Sequence, residues 1–248
     1  VKWVAPGLSD SHARRIGIFR NASPSMDEGW TRWVFDQYRI PFTLLTARDI
    51  RAGNLASRFD AIIIPDQNAR AIERGPTGSY PDSLKGGLGD EGAASLAAFV
   101  DAGGTLLAFN DASSYAIDAL SLPVKNVLAG VRSSDFYAPG SIIRVELDRS
   151  NPLAAGLTAP ESGVWFERSP AFDITDASRA TAVARYPASS AGNPLLSGWL
   201  LGAERLGGKA AMVDVSRGKG HVILYGFRPQ YRAQSMATMP LVWNGLLK

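Results

Sequence analysis

A mostly parallel, doubly wound α/β sheet with additional short strands in the second half is the fold this sequence predicts, on three observations. Strand-like and helix-like segments alternate through the first half, the order that βαβ units require. The run Asp60-Ala61-Ile62-Ile63-Ile64-Pro65-Asp66 is apolar without alternation, as expected of a parallel strand covered on both faces. Gly103-Gly104 then leads through Thr105-Leu106-Leu107-Ala108-Phe109 into Asn110-Asp111-Ala112-Ser113. That strand–turn–helix passage has the shape of an elbow, which lifts one side chain above the carboxyl edge of a sheet.

The remaining elements follow in order. Residues 1–15 are polar, with Pro6, Gly7 and Ser9, and read as a linker from an upstream domain; residues 16–248 read as one α/β domain. Residues 16–20 form a short apolar strand. Ser25-Met26-Asp27-Glu28 has the S-x-x-E spacing of a capping box. It opens a helix over 28–39 whose Trp30, Trp33, Val34 and Tyr38 share one face. Pro41 stops that helix, and residues 42–45 resume as a strand. Residues 70–89, rich in Gly, Pro and Ser, read as a long loop, mobile or functional. Asp90 caps a helix to Asp101, ended by Gly103-Gly104. After residues 113–120, a further helix, the texture shifts to short strands at 142–147, 164–166, 180–184, 210–215 and 222–225. Residues 238–247 close the chain as a helix with Pro240 in its first turn.

Composition excludes several functions. The 248 residues are 46% hydrophobic and 20% charged, which suits a globular domain with a full core. The net charge of +3 comes from scattered residues, with Arg14-Arg15 the densest pair, so no basic stripe points to nucleic acid. No apolar run approaches the ~18–20 residues that cross a bilayer. The absence of cysteine removes disulfides, thiolate metal sites and cysteine nucleophiles together. His12 and His221, the two histidines, stand in no H-x-x-E or H-x-x-x-H spacing and read as surface residues, so neither a metal nor another cofactor is expected. Lys85-Gly86-Gly87-Leu88-Gly89 lacks both phosphate-binding glycine patterns and reads as a flexible loop.

Three clusters carry candidate chemistry. Asp27, Glu28, Trp30 and Arg32 lie just past the first strand, where open α/β sheets bind ligands. The two acids either hold a cationic group, with Trp30 as a stacking wall, or serve the capping box and helix dipole while the tryptophans fill the core. Arg228, Tyr231 and Arg232 follow the last strand. They either clamp a carboxylate or phosphate, or tie the final helix down by pairing with Asp66, Asp111 or carbonyls. At the elbow, Asn110, Asp111 and Ser113 are the candidate catalytic residues, but no histidine stands in a usable arrangement with them. Otherwise Asn110 and Asp111 cap the next helix.

Taken in order, these segments resemble the class I glutamine amidotransferase-like fold, a flavodoxin-like architecture. The resemblance rests on the strand ending Ile64-Pro65-Asp66, on Asp101-Ala102-Gly103-Gly104-Thr105-Leu106-Leu107 and on the elbow. Asn151-Pro152-Leu153-Ala154-Ala155-Gly156-Leu157 and Gly218-Lys219-Gly220-His221-Val222-Ile223-Leu224-Tyr225-Gly226 complete it. The resemblance implies a Cys-His-Glu triad, yet Asn110 or Asp111 stands where the cysteine belongs. Met26-Asp27-Glu28-Gly29-Trp30-Thr31-Arg32, Arg51-Ala52-Gly53-Asn54-Leu55 and Phe227-Arg228-Pro229-Gln230-Tyr231-Arg232-Ala233-Gln234 are similar to the domain that follows the catalytic unit in large bacterial zinc carboxypeptidase-like proteins. That resemblance implies a secreted or periplasmic protein, a metallopeptidase parent whose zinc site lies outside this segment, and an upstream catalytic domain as partner. The expected role is a non-catalytic accessory domain that binds peptide or glycan through Asp27, Glu28, Trp30, Arg32, Asp66, Arg228, Tyr231 and Arg232. Its rivals are a Cys-independent hydrolase or amidotransferase-like enzyme using Asp111 or Ser113, and a structural homodimerisation domain.

Overall fold

A computed structural model of the chain describes residues 14–248. Most of the expected linker, with His12, lies outside the described residues. In chain order the first half holds β1 (Ile16–Phe19), α1 (Met26–Tyr38), β2 (Thr43–Leu45), α2 (Ala47–Arg51), β3 (Ala61–Ile64), α3 (Ala69–Arg74), α4 (Gly89–Asp101), β4 (Thr105–Phe109), α5 (Ala112–Ala119) and β5 (Val124–Asn126). The second half adds β6 (Ser141–Leu147), β7 (Glu161–Phe166), β8 (Phe172–Ile174), β9 (Ala180–Arg185), β10 (Leu195–Ser197), β11 (Ala210–Arg217), β12 (Gly220–Tyr225) and α6 (Met239–Leu247).

The strands form one 12-stranded sheet whose main path runs β10-β6-β9-β11-β12-β4-β3-β1-β2. Parallel pairing is confined to β12, β4, β3, β1 and β2. From β11 outward the partners are antiparallel. The sheet is therefore mixed, not mostly parallel. The reversal occurs at the hairpin between β11 and β12, where only Gly218-Lys219 separate Arg217 from Gly220. So short a connection permits only antiparallel pairing. Gly218 is required there: its φ is 57°, and a Cβ would lie 2.5 Å from the Asp101 Cα.

Alternate residues of the parallel strands feed two cores. Ile18, Ile63, Leu107 and Ile223 face α1 and α6 through Val34, Phe35, Val242 and Trp243. Ile62, Ile64, Leu106 and Leu224 face the opposite side, where Ile50, Ile72, Phe99 and Ala116 come from α2, α3, α4 and α5. In the antiparallel half, β6 alternates buried Ile143 and Val145 with exposed Ile142 and Glu146, the pattern of a sheet wetted on one face.

Three local expectations are corrected. The buried stripe of α1 is Asp27, Glu28, Thr31, Val34 and Phe35, while Trp33 is 47% exposed. Hydrophobic periodicity misses a stripe whose first turn is polar. The stretch 70–89 is not simply a loop. It begins as α3, capped by the Asn68 side chain, and its remainder is pinned by Gly86 N–H donating to Pro76 O at 3.1 Å and Leu88 N–H to Ile72 O at 2.9 Å. Finally, Leu88 and not Asp90 precedes the first residue of α4, and Asp90 sits in the first turn, where a negative charge suits the helix dipole.

Candidate functional site

β1, β3, β4 and β12 run in one direction, so their carboxyl ends share one edge of the sheet. The chain leaves each of them through a polar residue. Asp27 stands in the first turn of α1, Asp66 just past β3, Asn110 directly after β4, and Arg228 shortly after β12. Arg228 joins them. Its Nη2 lies 2.9 Å from Asp66 Oδ2, and its Nη1 lies 3.2 Å from Asp27 Oδ2 and 3.3 Å from Glu167 Oε2. Glu167, from the end of β7, reaches the cluster from the antiparallel half.

Hydrogen bonds fix the carboxylates. Asp66 Oδ1 accepts from Asn110 Nδ2 at 3.0 Å and from the Asp111 backbone N–H at 3.1 Å. Gln230 Nε2 donates toward Asp27 O, Asp27 Oδ1 and Thr31 Oγ1 at 3.2, 3.3 and 3.1 Å. Asn110 is the elbow residue proper, with φ at 52° in the left-handed region, where Asn is among the few tolerated side chains. Beside the cluster, Trp165 and Tyr231 stack at 4.0 Å and 8°. The Trp165 indole donates to Glu167 Oε2 at 3.2 Å, and its carbonyl accepts from Arg228 N–H at 3.1 Å.

Three carboxylates around one guanidinium leave a surplus of negative charge in a poorly hydrated place. The Asp27 carboxyl is pushed up to about 6, chiefly by burial and in smaller part by Asp66 and Glu167, against the opposing pull of Arg228 and Gln230. Burial also raises Asp66, again against Arg228 and its hydrogen bonds. Asp27 and Asp66 therefore hold a proton more readily than ordinary carboxylates do.

The structure brings together Asp27, Asp66, Arg228 and Asn110, with Tyr231 alongside. It sets the other candidates apart. Glu28 pairs along α1 with Arg32, Oε1 to Nε at 2.7 Å, and Trp30 packs edge-on against Trp33. Arg232 is exposed, its guanidinium 5.3 Å from the Tyr231 ring centroid. Of the two readings for this pair, Arg228 takes the pairing with Asp66, together with Asp27 and Glu167, and Arg232 stands apart from it. Asp111 caps α3 rather than α5: its Oδ2 accepts from Ala69 N–H at 3.2 Å and Asn68 Nδ2 at 3.3 Å. Ser113 is fully buried, its hydroxyl directed at Ala108 O (2.9 Å) and Tyr225 O (3.1 Å). His221 is the second residue of β12, at the amino edge far from the elbow, and its Nδ1 meets Asp214 Oδ1 at 2.9 Å.

Glu167, Trp165 and Gln230 are the members that sequence reasoning missed. Gln230 lies between Arg228 and Arg232, and Glu167 follows a recognised strand. Neither position signals its partners until the order of the strands is known.

No family profile and no curated protein matches the chain. Solved structures do. A protein described as a GMP synthase subunit, from Thermoplasma acidophilum, superposes with a TM-score of 0.57 at 9% identity, over 95% of this chain and 94% of that one. The fold is class I glutamine amidotransferase-like. A cytoplasmic protein of Salmonella typhimurium gives a TM-score of 0.57 at 13% identity, over 94% and 98% of the two chains. The β-galactosidase of Bacillus circulans gives 0.52 at 11% identity, over 92% of this chain but only 30% of that one. At such identities the likeness concerns this amidotransferase-like fold alone. Among the described residues no helix is long and apolar enough to cross a membrane, and no group of three or more His, Cys, Asp or Glu is placed to hold a metal.

Proposed function

We propose that this chain is a non-catalytic binding domain, and that it takes up peptide or glycan at the carboxyl-edge cluster built on Arg228. The observation that carries the reading is what the elbow does. Its tip residue Asn110 is 2% exposed and committed to Asp66, Asp111 caps a helix, and the Ser113 hydroxyl is enclosed. Among the described residues none of the three stands beside a histidine that could act as its base, the usual activation of an acyl-transfer nucleophile. The hydrolase alternative through Asp111 or Ser113 thus has the weaker support.

Around the same elbow several buried polar atoms find no partner among the described residues: Asn110 Oδ1, Gln230 Oε1 and Arg228 Nε. Buried polar groups of this kind ordinarily have partners. With the carboxylates, they favour a ligand rich in donors that also offers acceptors. Sugar hydroxyls and peptide amides both qualify, and the Trp165–Tyr231 stack adds an apolar surface beside them.

The setting we infer is a larger exported zinc carboxypeptidase-like protein, with the catalytic unit upstream. The β-galactosidase comparison is compatible with an accessory role, since a fold of this kind makes up only 30% of that chain. An H-x-x-E motif and a later histidine upstream of Val1 are the expected signs of that setting; their absence removes the carboxypeptidase association.

The binding claim is tested by calorimetric titration with a panel of oligosaccharides and short peptides, for the wild type and Glu167→Gln. Glu167 is the most accessible acid of the cluster, so this substitution spares the buried framework. The expected result is saturable binding weakened about tenfold or more by Glu167→Gln, with the ligand recovered unchanged by mass spectrometry. Conversion of the ligand, or affinity indifferent to the substitution, contradicts the reading.

A further inference from the structure

A cavity opens on the same edge of the sheet, at the carboxyl ends of β1 and β2, and its chemistry is the opposite of the Arg228 cluster. Its volume is about 440 Å³, within the range of small-molecule sites. Arg20 follows β1, Arg48 and Arg51 come from α2, and Lys85 comes from the segment ahead of α4; no carboxylate lines the cavity. Four cations therefore converge on one concave place, where their fields add.

Most of that charge is unspent. Among the described residues, the Arg20 and Arg48 side chains make no ion pair or hydrogen bond, although both line the cavity. Lys85 pairs with Asp82 at 2.7 Å, but that carboxylate is 95% exposed. Arg51 donates to Gly87 O and stands 4.0 Å from Glu91, itself 80% exposed. Such solvent-exposed pairs are weak and readily exchanged for a better anion.

A different observation narrows the ligand. Asn21 also lines the cavity and is 3% exposed. Its Nδ2 donates to Ala71 O at 2.8 Å, and its Oδ1 has no partner among the described residues. An acceptor among cations calls for a ligand that carries a donor besides its negative group. Leu84, 45% exposed, adds an apolar wall, and the volume exceeds what a bare inorganic anion fills.

We propose that this cavity is a binding site for an anionic sugar, its phosphate or carboxylate held by Arg20 and Arg48 and a hydroxyl donated to Asn21. Guanidinium groups suit both anions because they can bind two oxygens at once. The site is independent of the Arg228 cluster and of the function assigned to it.

The test is calorimetric titration of the chain at low ionic strength with glucose 6-phosphate, glucuronate, sulfate and glucose. Saturable binding of either acid is expected, with glucose inactive and sulfate, which has no donor, at least tenfold weaker. If one acid alone binds, the site stands and its anionic group is identified. Arg20→Ala and Arg48→Ala, both at exposed positions, should each weaken binding about tenfold. Lys219→Ala, at the opposite edge, should not change it. Added salt should lower the affinity. The proposal is overturned if neither acid binds saturably, if sulfate matches the sugars, or if binding survives both arginine substitutions.

Discussion

At Asp27, burial and two neighbouring acids oppose ionisation, and the consequence is measurable as a pH dependence of stability. The unfolded carboxyl titrates near 3.9, the folded one at about 6. Below both values it is protonated in either state and contributes no difference. Between them the folded state binds more protons, so stability falls as pH rises, and above about 6 the full cost of roughly 3 kcal/mol is present. Asp27→Asn removes this titration. Denaturant unfolding from pH 4 to 7 should show wild type losing up to about 3 kcal/mol relative to the variant, most of it by pH 6. A difference that stays flat over this range contradicts the burial argument. At this scale the sequence was informative in part. Asp27, Asp66 and Arg228 were legible because each follows an apolar strand at the edge where ligands bind. Glu167 was not, because its strand runs antiparallel and only the topology brings its end to that edge. Arg20 and Arg48 were equally silent, being single charges far apart in the chain with no motif.

Helix α6 and the first turn of α1 show how far element-level physics carries. Gly245 lies where α6 crosses β4 and β12. A Cβ there would meet Tyr225 Oη at 2.7 Å and Leu107 Cδ2 at 3.0 Å, and that hydroxyl already donates to Leu241 O at 2.9 Å. Both neighbours are buried and close-packed, so Gly245→Ala should cost about 1–3 kcal/mol. Gly29, inside α1, has open space around its missing Cβ. There the gain in helix propensity dominates, and Gly29→Ala should stabilise by about 0.5–1 kcal/mol. Urea midpoints of the pair check both signs. Element boundaries were readable where periodicity was strong: the strand at 105–109 matches β4 residue for residue, and α6 starts one residue from its expected position. Strands β5, β8 and β10 were missed because three residues carry no usable period. Helix α1 was found through its Ser25 cap, whose side chain accepts from Glu28 N–H at 3.2 Å; of its expected apolar face Val34 and Tyr38 do pack on the core, while Trp33 is exposed.

Over the whole molecule, one sheet joins a parallel half, which ends in polar residues at a common edge, to an antiparallel half that delivers Glu167 and Trp165 to the same place. The parallel half could be read from continuous apolar runs such as 61–64. The antiparallel half could not be ordered, because short alternating strands fix a face but not a neighbour. This arrangement makes the Arg228 cluster a product of the entire fold and gives the binding claim a spatial signature. Backbone amide chemical shifts of the isotope-labelled domain, followed during titration with the oligosaccharide or peptide that binds best, read it directly. Saturable shifts are expected at Asp27, Asp66, Asn110, Asp111, Trp165, Glu167, Arg228 and the segment 230–232 and not elsewhere, with the ligand released intact. Shifts that map elsewhere on the sheet, or ligand turnover at the elbow, would contradict the binding claim.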